Sequence, residues 1–503
     1  MRIGDTNKRY IPVTNQCYAT GAPIKAGHPT TVIISPTGDN TADIYNGFIY
    51  AQMKIPLRLS QAATKDKSVT ESVHYHVWVG FKDSFDAIEK YEIFANGISI
   101  YQQTYSLEES FITSSGYVEA LKKSDGYSKT RHKDIWKQSY GYKSGKVLDL
   151  VDTVDGKVLW EPVIPLKIDL RRFLPLSNIK YLPAFAGKIE LKITFSTKGL
   201  VYCPIDPRQP YYGNYKRLSN IVFPDVSCEF TPIGEPITCI TGCTASGSVV
   251  ATFTAEERTI YADSSYEVLQ CESTVFCFGI ADNIYQSLVS RYMNQDLTFP
   301  TQTISVFPCN GILSGETAQT GQTITPRFVD SIFFLFPLKP SYRTVYKNPC
   351  FDHFQINCAG YGNMPPQAIP TFDDPRLMEY TQNALNLNTD TFTFSSEVAR
   401  SLMEGTAEIK KGSVSKDATN FIIGFPTETD GTFQQGHTSN VSISYNINVS
   451  QKKGNHYASN VQCAPLICML VDSVISIQVR PGGAPSEVRV GAYDITSPEM
   501  VEA

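Results

Sequence analysis

The sequence predicts an all-β protein made of two tandem domains, and three observations support this fold class. Apolar and polar residues alternate in many short segments, Asn-Gly and Asp-Gly pairs punctuate these segments, and their order recurs in the second half of the chain. Alternation with a period of two turns one face of a strand toward a core and the other toward solvent. The chain has 503 residues, a length that suits roughly two to four domains.

Several segments predict individual strands. GKIELKITFS at 187–196 places Ile, Leu, Ile and Phe on one face and Lys, Glu, Lys and Thr on the other, and SNVSISYNINVS at 439–450 repeats this pattern. SVHYHVWVGF from Ser72 is a further alternating strand, whereas the continuous apolar run SIFFLFPL from Ser331 is typical of a strand buried on both faces. APLICMLVDSVISIQV is short for a membrane helix and contains Asp472, so it predicts a buried pair of strands.

Tight turns are predicted between neighbouring strands. The Asn-Gly pair at 96–97 and the Asp-Gly pair at 155–156 predict hairpins, because these dipeptides readily adopt the positive φ angles of a two-residue turn. Weaker turn signals surround Asn310 and Asp430, and a short helix is predicted near 395–405.

Two other predicted helices have recognisable N-terminal residues. In YSLEES, Ser106 and Glu109 predict a capping box, in which each side chain satisfies a free backbone amide of a helix near 106–123. Asp374 is the predicted N-cap of the second helix, and Pro375 suits its first position because proline lacks the amide that would be unpaired there. The predicted inner face of that helix consists of Leu377, Thr381 and Ala384.

The order of the predicted elements recurs at an offset of about 250 to 270 residues, which is too long for a solenoid repeat and suits a duplicated domain. In each half, strands precede a helix, and a proline-bearing strand and a cleanly alternating strand follow it. The predicted domains are 1–232 and 233–503, because Pro232, Gly234 and Pro236 interrupt the pattern between them. About eight strands in each half, joined by long polar connections, predict two tandem eight-stranded jelly-roll barrels with a few short helices.

Composition and charge exclude several classes of protein. Only 18% of the residues are charged and the net charge is −5, which argues against a protein that grips nucleic acid with clustered Lys and Arg. The densest basic stretch, KTRHKDIWKQ from Lys129, is short and predicts a solvated loop. The first residues lack the apolar core of a secretory signal, and no apolar run reaches about 18 residues. We therefore expect no membrane span and a protein that folds inside the cell.

Candidate metal ligands are sparse. The 12 cysteines include no CxxC pair, and the closest pairs lack histidine partners at zinc-finger spacing, so buried reduced thiols are expected. His74 and His76 share one face of a predicted strand and could bind a metal, but the Glu that a cupin would need soon after them is absent. We interpret both as surface or barrel-lining histidines, and no metal site is assigned to them.

Catalytic motifs are equally scarce. The sequence contains no phosphate-binding loop, no hydrolase nucleophile motif and no dinucleotide fingerprint, and CAGYGNMPP predicts a loop. The adjacent Asp373 and Asp374 suit a helix cap better than a glycosidase pair, whose carboxyl groups lie about 5 Å or more apart. The sequons at Asn440 and Asn448 lie in a predicted strand and are interpreted as chance matches. The sequence therefore predicts no catalytic, cofactor-binding or metal-binding residues.

The chain resembles the double jelly-roll major capsid proteins of Polinton/Maverick elements and virophages and, more distantly, adenovirus hexon. The segments that support this resemblance are YEIFANGISI, the helix that begins YSLEES, IPLKIDLRRFLPLSNIKYLPAFAGKIELKITF, DSIFFLFPLKPSYRTVYKNP and the helix at 374. They span nearly the whole chain as an order of elements, and none of them is diagnostic alone.

The resemblance implies a structural protein of the virion without catalytic residues or cofactors. Each chain would contribute two barrels, and a homotrimer would form a pseudohexagonal, hexon-like capsomer of an icosahedral shell around a double-stranded DNA genome. The implied partners are the other chains of the trimer, neighbouring capsomers, and penton and minor capsid proteins. Assembly would take place inside the host cell.

Two other functions stay open from the residues alone. Tandem jelly rolls also form glycan amidases and copper monooxygenases, although these enzymes are exported and disulfide-bonded, and the copper enzymes need more histidine ligands. A carbohydrate-binding β-sandwich protein is the second alternative, because binding sites on loops leave little trace in a sequence. A minor capsid protein would differ by having one barrel.

Overall fold

The computed structural model describes a little under three fifths of the chain. The described residues are 11–19, 24–37, 40–60, 74–113, 144–151, 159–203, 221–222, 230–245, 251–262, 265–279, 286–287, 289–291, 296–308, 317–324, 329–337, 342–346, 349, 351, 353–358, 362–370, 374–385, 421–426, 441–448, 465–479, 485–492 and 501–502. The predicted turns at 155–156, Asn310 and Asp430, the predicted helix at 395–405 and the basic stretch from Lys129 lie outside these residues.

Strands dominate the described residues and are numbered in chain order. The first are β1 (Ile11–Gln16), β2 (Tyr18–Ala19), β3 (Pro29–Ile34), β4 (Thr41–Lys54), β5 (Leu57–Ser60), β6 (His74–Phe81), β7 (Ile88–Ala95), β8 (Ile98–Gln103), β9 (Ser144–Val151), β10 (Leu159–Trp160), β11 (Val163–Asp169), β12 (Tyr181–Pro183), β13 (Ile189–Phe195), β14 (Leu200–Cys203), β15 (Ile221–Val222), β16 (Thr231–Pro232), β17 (Pro236–Ala245), β18 (Ala251–Ala262) and β19 (Glu267–Phe278). The later strands are β20 (Leu297–Pro308), β21 (Thr317–Ile324), β22 (Val329–Leu335), β23 (His353–Cys358), β24 (Gly362–Ile369), β25 (Ile422–Pro426), β26 (Val441–Asn448), β27 (Leu466–Val479), β28 (Pro485–Ala492) and β29 (Val501–Glu502).

Helices are few and short. They are α1 (106–113), α2 (Leu174–Ser177), α3 (Pro375–Ala384) and the 3₁₀ turns Ser84–Ala87, Leu170–Arg172 and Ala184–Ala186. Residues 286–287 and 289–291 are also helical. Among the described residues, no helix is long and apolar enough to span a bilayer.

Four sheets form the two halves of the fold. Sheet 1 has the strand order β1-β19-β4-β11 and sheet 2 the order β3-β13-β7-β8, extended by β2. Sheet 3 contains β20, β27, β22 and β25 in that order, extended by β28 and β29, and sheet 4 has the order β21-β26-β23-β24. All pairs in these sheets are antiparallel.

The strand order in the two halves is the same. Setting the extensions aside, sheets 1 and 3 both join the first, eighth, third and sixth strand of their half, and sheets 2 and 4 both join the second, seventh, fourth and fifth. Two four-stranded sheets connected in this way form a jelly roll. The predicted all-β fold with two tandem jelly-roll barrels is therefore confirmed, and the recurrence noticed in the sequence corresponds to a repeated topology.

Strand pairing divides the chain later than predicted. Among the described strands, those up to Phe278 pair only with one another, and so do those from Leu297 onward. β18 and β19 lie beyond residue 232 but pair with β5 and β4 in the first half. The division into 1–232 and 233–503 stays a prediction. Strand pairing changes between 279 and 296, because β19 lies between β1 and β4 in sheet 1.

The inner face of sheet 1 forms much of the N-terminal core. Three residues of β11 face three residues of β4 across this pair, and all six side chains are completely buried: Ile164, Leu166 and Ile168 with Met53, Ala51 and Ile49. Complete burial of such a side chain contributes about 1.5 to 3 kcal/mol. On β13 the predicted alternation is confirmed by buried Ile, Leu, Ile and Phe, with buried Thr194 the exception on the opposite face.

Local predictions were confirmed at the first hairpin and at α3. Asn96 and Gly97 join β7 to β8 with φ angles of 53° and 86°, as a two-residue turn requires. Asp374 caps α3 by accepting a hydrogen bond from the backbone amide of Arg376, and proline occupies the first turn. The predicted inner face of α3, with Leu377, Thr381 and Ala384, is buried.

Two local predictions were wrong. The stretch predicted as a pair of strands around Asp472 is one continuous strand, β27, and Gln302 on β20 donates a hydrogen bond to the Asp472 carboxylate at 3.0 Å. This side-chain bond lets a carboxylate lie in the middle of a strand. The stretch GNMPPQAI, predicted as part of a loop, forms β24. Its prolines fall where the register with β23 shifts between Phe354 and Ile356, so ladder amides are not required of them.

The long connections of the N-terminal barrel form two further sheets. One has the order β10-β5-β18-β15 with β17 beside β18, and the other has the order β16-β14-β6-β9. Their strands come from the β4–β7, β8–β11 and β13–β19 connections. The connections therefore extend the barrel with hydrogen-bonded structure of their own.

Candidate functional site: the interface between the two barrels

Helix α1 crosses from the N-terminal barrel to the C-terminal barrel. All of its residues are buried except the last, which is half-buried. Phe111 and Ile112 pack with one apolar cluster from the second half, which comprises Ile304, Val306, Phe333, Leu335, Tyr346, Ala384, Leu385, Ile422, Cys468 and Leu470. A helix that belongs to the first half thus packs on the outer face of sheet 3.

A second apolar cluster joins the connections to the segment 342–346. It contains Trp78, Val201, Cys203 and Phe230 from the first half together with Tyr342 and Val345 from the second. The rings of Trp78 and Phe230 meet edge to face, with 5.7 Å between their centroids. The two barrels are thus joined by these two apolar clusters and by Leu297, Ile475 and Ile477, which pack in the apolar cluster of the N-terminal barrel.

The predicted capping box at the start of α1 was wrong. The Ser106 hydroxyl donates to the backbone carbonyl of Ile88 at 2.5 Å, and the Glu109 carboxylate binds other partners inside the interface. The backbone amide of Tyr105 is instead satisfied by the side-chain oxygen of Gln103 at 3.1 Å. Ser106 and Glu109 therefore make tertiary contacts in place of the predicted capping box.

Glu108 forms an ion pair with Arg343 across the interface. Arg343 Nε donates to Glu108 Oε1 at 2.7 Å, and Arg343 Nη2 donates to the other carboxylate oxygen. The Glu108 side chain is 2% exposed and that of Arg343 17%. The guanidinium also lies over the ring of Tyr105, with 5.4 Å between its central carbon and the ring centroid. This bidentate geometry is the strongest form of carboxylate–guanidinium pairing.

Glu109 is completely buried and is bound by three neutral donors. Tyr91 Oη lies 2.8 Å from both carboxylate oxygens, Gln103 Nε2 donates at 3.1 Å, and the backbone amide of Leu174 donates at 3.1 Å. Burial raises the pKa of Glu109 to about 7, although these donors lower it. The carboxylate thus connects α1, β7 and α2.

A buried cluster of charges surrounds the 3₁₀ turn Ser84–Ala87. Asp83 Oδ1 accepts from the backbone amide of Phe85 at 2.9 Å, and Asp83 Oδ2 accepts from Arg172 Nη1 at 2.9 Å. The Asp86 carboxylate accepts from the backbone amide of Asp83 at 3.1 Å. Burial, reinforced by the nearby Asp83 charge, raises the pKa of Asp86 to about 7, and burial also raises the pKa of Asp83.

Lys82 links this charge cluster to the C-terminal barrel. Its ammonium group donates to the backbone carbonyl of Thr344 at 3.2 Å. It also lies 5.1 Å from the ring centroid of Phe230 and 5.6 Å from that of Phe111. A desolvated ammonium over two aromatic faces is favourable by about 2 kcal/mol.

Polar side chains also bind backbone carbonyls across the interface. Gln103 Nε2 donates to the carbonyl of Ile304 at 3.3 Å, and Thr301 Oγ1 donates to the carbonyl of Leu174 at 3.0 Å. Such contacts fix the two barrels in position as well as holding them together, because hydrogen bonds are directional.

The structure does not gather the candidate residues of the sequence into one site. His74 and His76 lie on β6 opposite Val151 and Asp149 of β9, and their side chains lie outside the described part of the chain. Among the described residues, no three His, Cys, Asp or Glu side chains lie together as metal ligands would. The prediction that the chain has no catalytic, cofactor-binding or metal-binding residues stays a prediction.

Two other sets of candidate residues have local roles or lie outside the described residues. Asp374 is a helix cap, Asn448 ends β26, and Asp373 and Asn440 are not described. The cysteines whose side chains are described agree with the expected buried thiols, since all five are buried: Cys17, Cys203, Cys271, Cys277 and Cys468.

Sequence reasoning missed the buried charges of the interface. The available signal was that Glu108 lies three and four residues before Phe111 and Ile112, so that a carboxylate shares one helix face with apolar residues. Their partners could not be identified, since Arg343 lies in the other half of the chain. The interface donors and acceptors named above bind one another.

Fold and interface together define a tandem jelly-roll protein with two tightly joined barrels. No family model and no curated protein matches the chain. The chain is similar to the structure of the Sputnik virophage, with 9% identity and a TM-score of 0.48 over 99% of this chain and 90% of that one. It is also similar to the mavirus major capsid protein, with 10% identity and a TM-score of 0.44 over 98% of this chain and 92% of that one. The Faustovirus major capsid protein gives 9% identity and a TM-score of 0.44 over 94% and 92%.

Proposed function

We propose that the chain is a major capsid protein that forms homotrimeric, pseudohexagonal capsomers of an icosahedral shell around a double-stranded DNA genome. The observation that supports this most directly is a difference between two equivalent surfaces. Among the described residues, the outer face of sheet 3 is buried under α1 of the first half and α3 of the second, whereas the outer face of sheet 1 carries the half-buried residues Phe48, Tyr50 and Gln52 and is an open surface by comparison.

The covered surface lies on sheet 3. Phe334 of β22 packs edge to face on Phe354 of β23, with ring centroids 5.0 Å apart, so its side of sheet 3 faces the barrel interior. Phe333 and Leu335 therefore point outward, yet both are completely buried. They are buried because α1 of the N-terminal barrel and α3 of the second half both pack on this side.

The open surface lies at the equivalent position on sheet 1. Its outward residues on β4 are Phe48, Tyr50 and Gln52, and all three are half-buried. Tyr50 lies between Lys167 of β11 and Glu272 of β19. The Lys167 ammonium lies 5.0 Å from the ring centroid of Phe48. This surface presents aromatic rings beside charged side chains; aromatic residues are enriched at protein–protein interfaces, and polar groups form their rim.

The repeated topology suggests what covers the open surface. If a second copy packs its C-terminal barrel on sheet 1 as the N-terminal barrel packs on sheet 3, the contact is head to tail and repeats until a ring closes. Three copies would place six similar barrels in the ring, which gives the near-hexagonal outline that the resemblance implies. The partners are then further copies of this chain, followed by neighbouring capsomers and by penton and minor capsid proteins at the vertices.

The proposed role is architectural and the proposed location is the virion. A net charge of −5 suits a wall that encloses a genome without gripping it. The buried ion pairs and the two apolar clusters would keep each pair of barrels rigid within the wall. No catalytic step belongs to this proposal.

The oligomeric state tests the proposal. Purified protein should elute as a trimer by light scattering, and electron microscopy should show hexagonal particles that associate into sheets. Tyr50→Asp should yield a monomer with an unchanged thermal midpoint, because the residue lies on the open surface. Tyr261→Asp is the matched control, since Tyr261 is 47% exposed on β18 outside sheet 1. A wild-type protein that stays monomeric at all concentrations would refute the proposal.

A further inference from the structure

Two cysteines lie opposite each other at the edge of the N-terminal barrel. Cys17 follows β1 directly, and its backbone amide donates to the carbonyl of Cys271 on β19 at 2.9 Å. The pair continues the register in which Gln16 faces Glu272. Residues that face each other on antiparallel strands have Cα atoms about 4.5 to 5.5 Å apart, and a disulfide requires about 4.4 to 6.8 Å. The backbone therefore already has the spacing of a disulfide.

The two thiols point into the same core and contact each other. Cys17 is 7% exposed and Cys271 5%, and both belong to the apolar cluster of the N-terminal barrel. The hydrogen bond from Cys17 is the main reason why the pKa of Cys271 lies well above its usual range, and burial adds to it. Directly opposed residues share one face of a sheet, so neither side chain has to change sides to react.

We propose that Cys17 and Cys271 are a redox site that forms a disulfide when the protein meets a small-molecule disulfide such as oxidised glutathione. In the first step the Cys17 thiolate attacks the small disulfide, forms a mixed disulfide and releases one glutathione thiolate. In the second step the Cys271 thiolate attacks the Cys17 sulfur and releases the second glutathione thiolate. The two protons of the protein thiols end on the two glutathione molecules, so the protein is oxidised by two electrons and the small disulfide is reduced.

Access to the buried pair comes from the position of β1. Among the described strands β1 pairs only with β19, so it is the edge strand of sheet 1. Edge strands open locally at lower free energy than central strands do. Opening of β1 brings Cys17 to solvent, and closing returns it to Cys271 for the second step.

The disulfide would fasten the N-terminal strand to sheet 1. It would close a covalent loop that contains all the strands from β2 to β18, and cross-links that close long loops restrict the unfolded chain most. Reduced protein would thus be assembled in the cell, and the covalent bond would form after exposure to an oxidising medium.

The test uses folded, fully reduced protein treated with oxidised glutathione at neutral pH. We expect the loss of two of the 12 thiols, a peptide map that links Cys17 to Cys271, and a thermal midpoint several degrees higher, all reversed by dithiothreitol. Retention of all thiols in the folded protein after prolonged treatment, or a map that links other cysteines, would overturn the proposal.

Single variants separate this pair from the other buried thiols. Cys17→Ser and Cys271→Ser should each abolish the cross-link and the rise in thermal midpoint. Cys277→Ser is the matched control because Cys277 is buried on the same strand, opposite Ile11, and should leave both effects intact. If a serine variant fails to fold, the peptide map of the wild-type protein still decides the question.

Discussion

Glu108 and Glu109 are neighbours on α1, yet they are stabilised in different ways. Glu108 is neutralised by the guanidinium of Arg343, whereas Glu109 is bound by neutral donors. Moving a carboxylate out of water costs several kcal/mol, which an ion pair offsets only with good geometry. The two residues therefore depend on different partners.

Removal of one partner from the Glu108–Arg343 pair should be strongly destabilising. Arg343→Ala leaves an uncompensated carboxylate that is almost completely buried, which costs about 3 to 5 kcal/mol. Lys198→Ala is the control, because its ion pair with Glu89 is largely exposed and contributes about 0 to 1 kcal/mol. Denaturant unfolding measures both; similar losses in the two variants would contradict the structural role of the buried pair.

Stability should fall as the pH rises from about 5 to 8, with a limiting slope of about 1.4 kcal/mol per pH unit for each carboxyl that stays protonated only in the folded state. The pKa of Glu109 and that of Asp86 are each raised to about 7, from 4.5 and 3.8. At a pH below the ordinary pKa values, the carboxyls are protonated in both the folded and the unfolded state, and the stabilisation is complete. Between the ordinary values and 7 the folded state alone keeps the protons, so the stabilisation is lost as the pH rises through 7.

Thermal midpoints measured across this pH range check the expectation. Glu109→Gln removes one titrating group and should make the decline shallower. Asp374→Asn, which alters a carboxylate whose pKa is held below its ordinary 3.8 by the hydrogen bond from Arg376, should leave the slope between pH 5 and 8 unchanged. A midpoint that rises from pH 5 to 8 in the wild-type protein would show that the buried carboxyls do not behave in this way.

Among the elements, α3 shows how closely a helix can approach a strand. Gly424 of β25 lies under α3, and its backbone amide donates to Thr381 Oγ1 at 3.1 Å. A Cβ at this position would lie 2.8 Å from the Cβ of Ala384 and 2.9 Å from the ring of Phe333. The absence of a side chain on Gly424 therefore lets helix and strand meet.

Gly424→Ala should separate α3 from β25 and cost about 1 to 3 kcal/mol, because overpacked positions force the backbone apart. Gly279→Ala is the matched control, since its Cβ would meet only Asn40 Oδ1 at an ordinary contact distance of 3.5 Å. Thermal unfolding of both variants provides the comparison. An unchanged midpoint for Gly424→Ala would mean that α3 can shift without loss.

Elements whose residues interact locally could be predicted from the sequence. The Asp374 cap, the turn at Asn96 and Gly97 and the alternation of β13 all depend on residues close together in the chain. The role of Glu109 could not be predicted, because a tertiary environment replaced the local capping box. The position of β19 in the first barrel was missed as well, since nothing in a strand's own sequence states which distant strand it will join.

At the scale of the whole molecule, the two barrels are one mechanical unit. Apolar contacts, the buried Glu108–Arg343 ion pair and hydrogen bonds connect them. The described strands change their pairing partners between 279 and 296, and the two barrels lie on either side of this change. The covalent connection is thus not required to hold the barrels together once they have folded.

Cleavage of the folded chain between the barrels tests this. A protease site inserted between Gly279 and Asp296 should, after cutting, leave both fragments in one peak on size exclusion, because the interface is buried and complementary. Uncut protein is the control for elution position. The same cut in Arg343→Ala should release some of the fragments; separate peaks from the otherwise unaltered protein would show that the connection itself carries the association.

The position of β19 also has a consequence for synthesis on the ribosome. β1 leaves the ribosome early, but its described partner begins at Glu267, and at about 5 to 20 residues per second this delay lasts roughly 10 to 50 s. During that time the edges of β1 and β4 lack the strand that will lie between them, and open strand edges are prone to associate with other chains. Nascent chains made side by side on one messenger would therefore need chaperones at the N-terminal barrel for longer than at the C-terminal barrel.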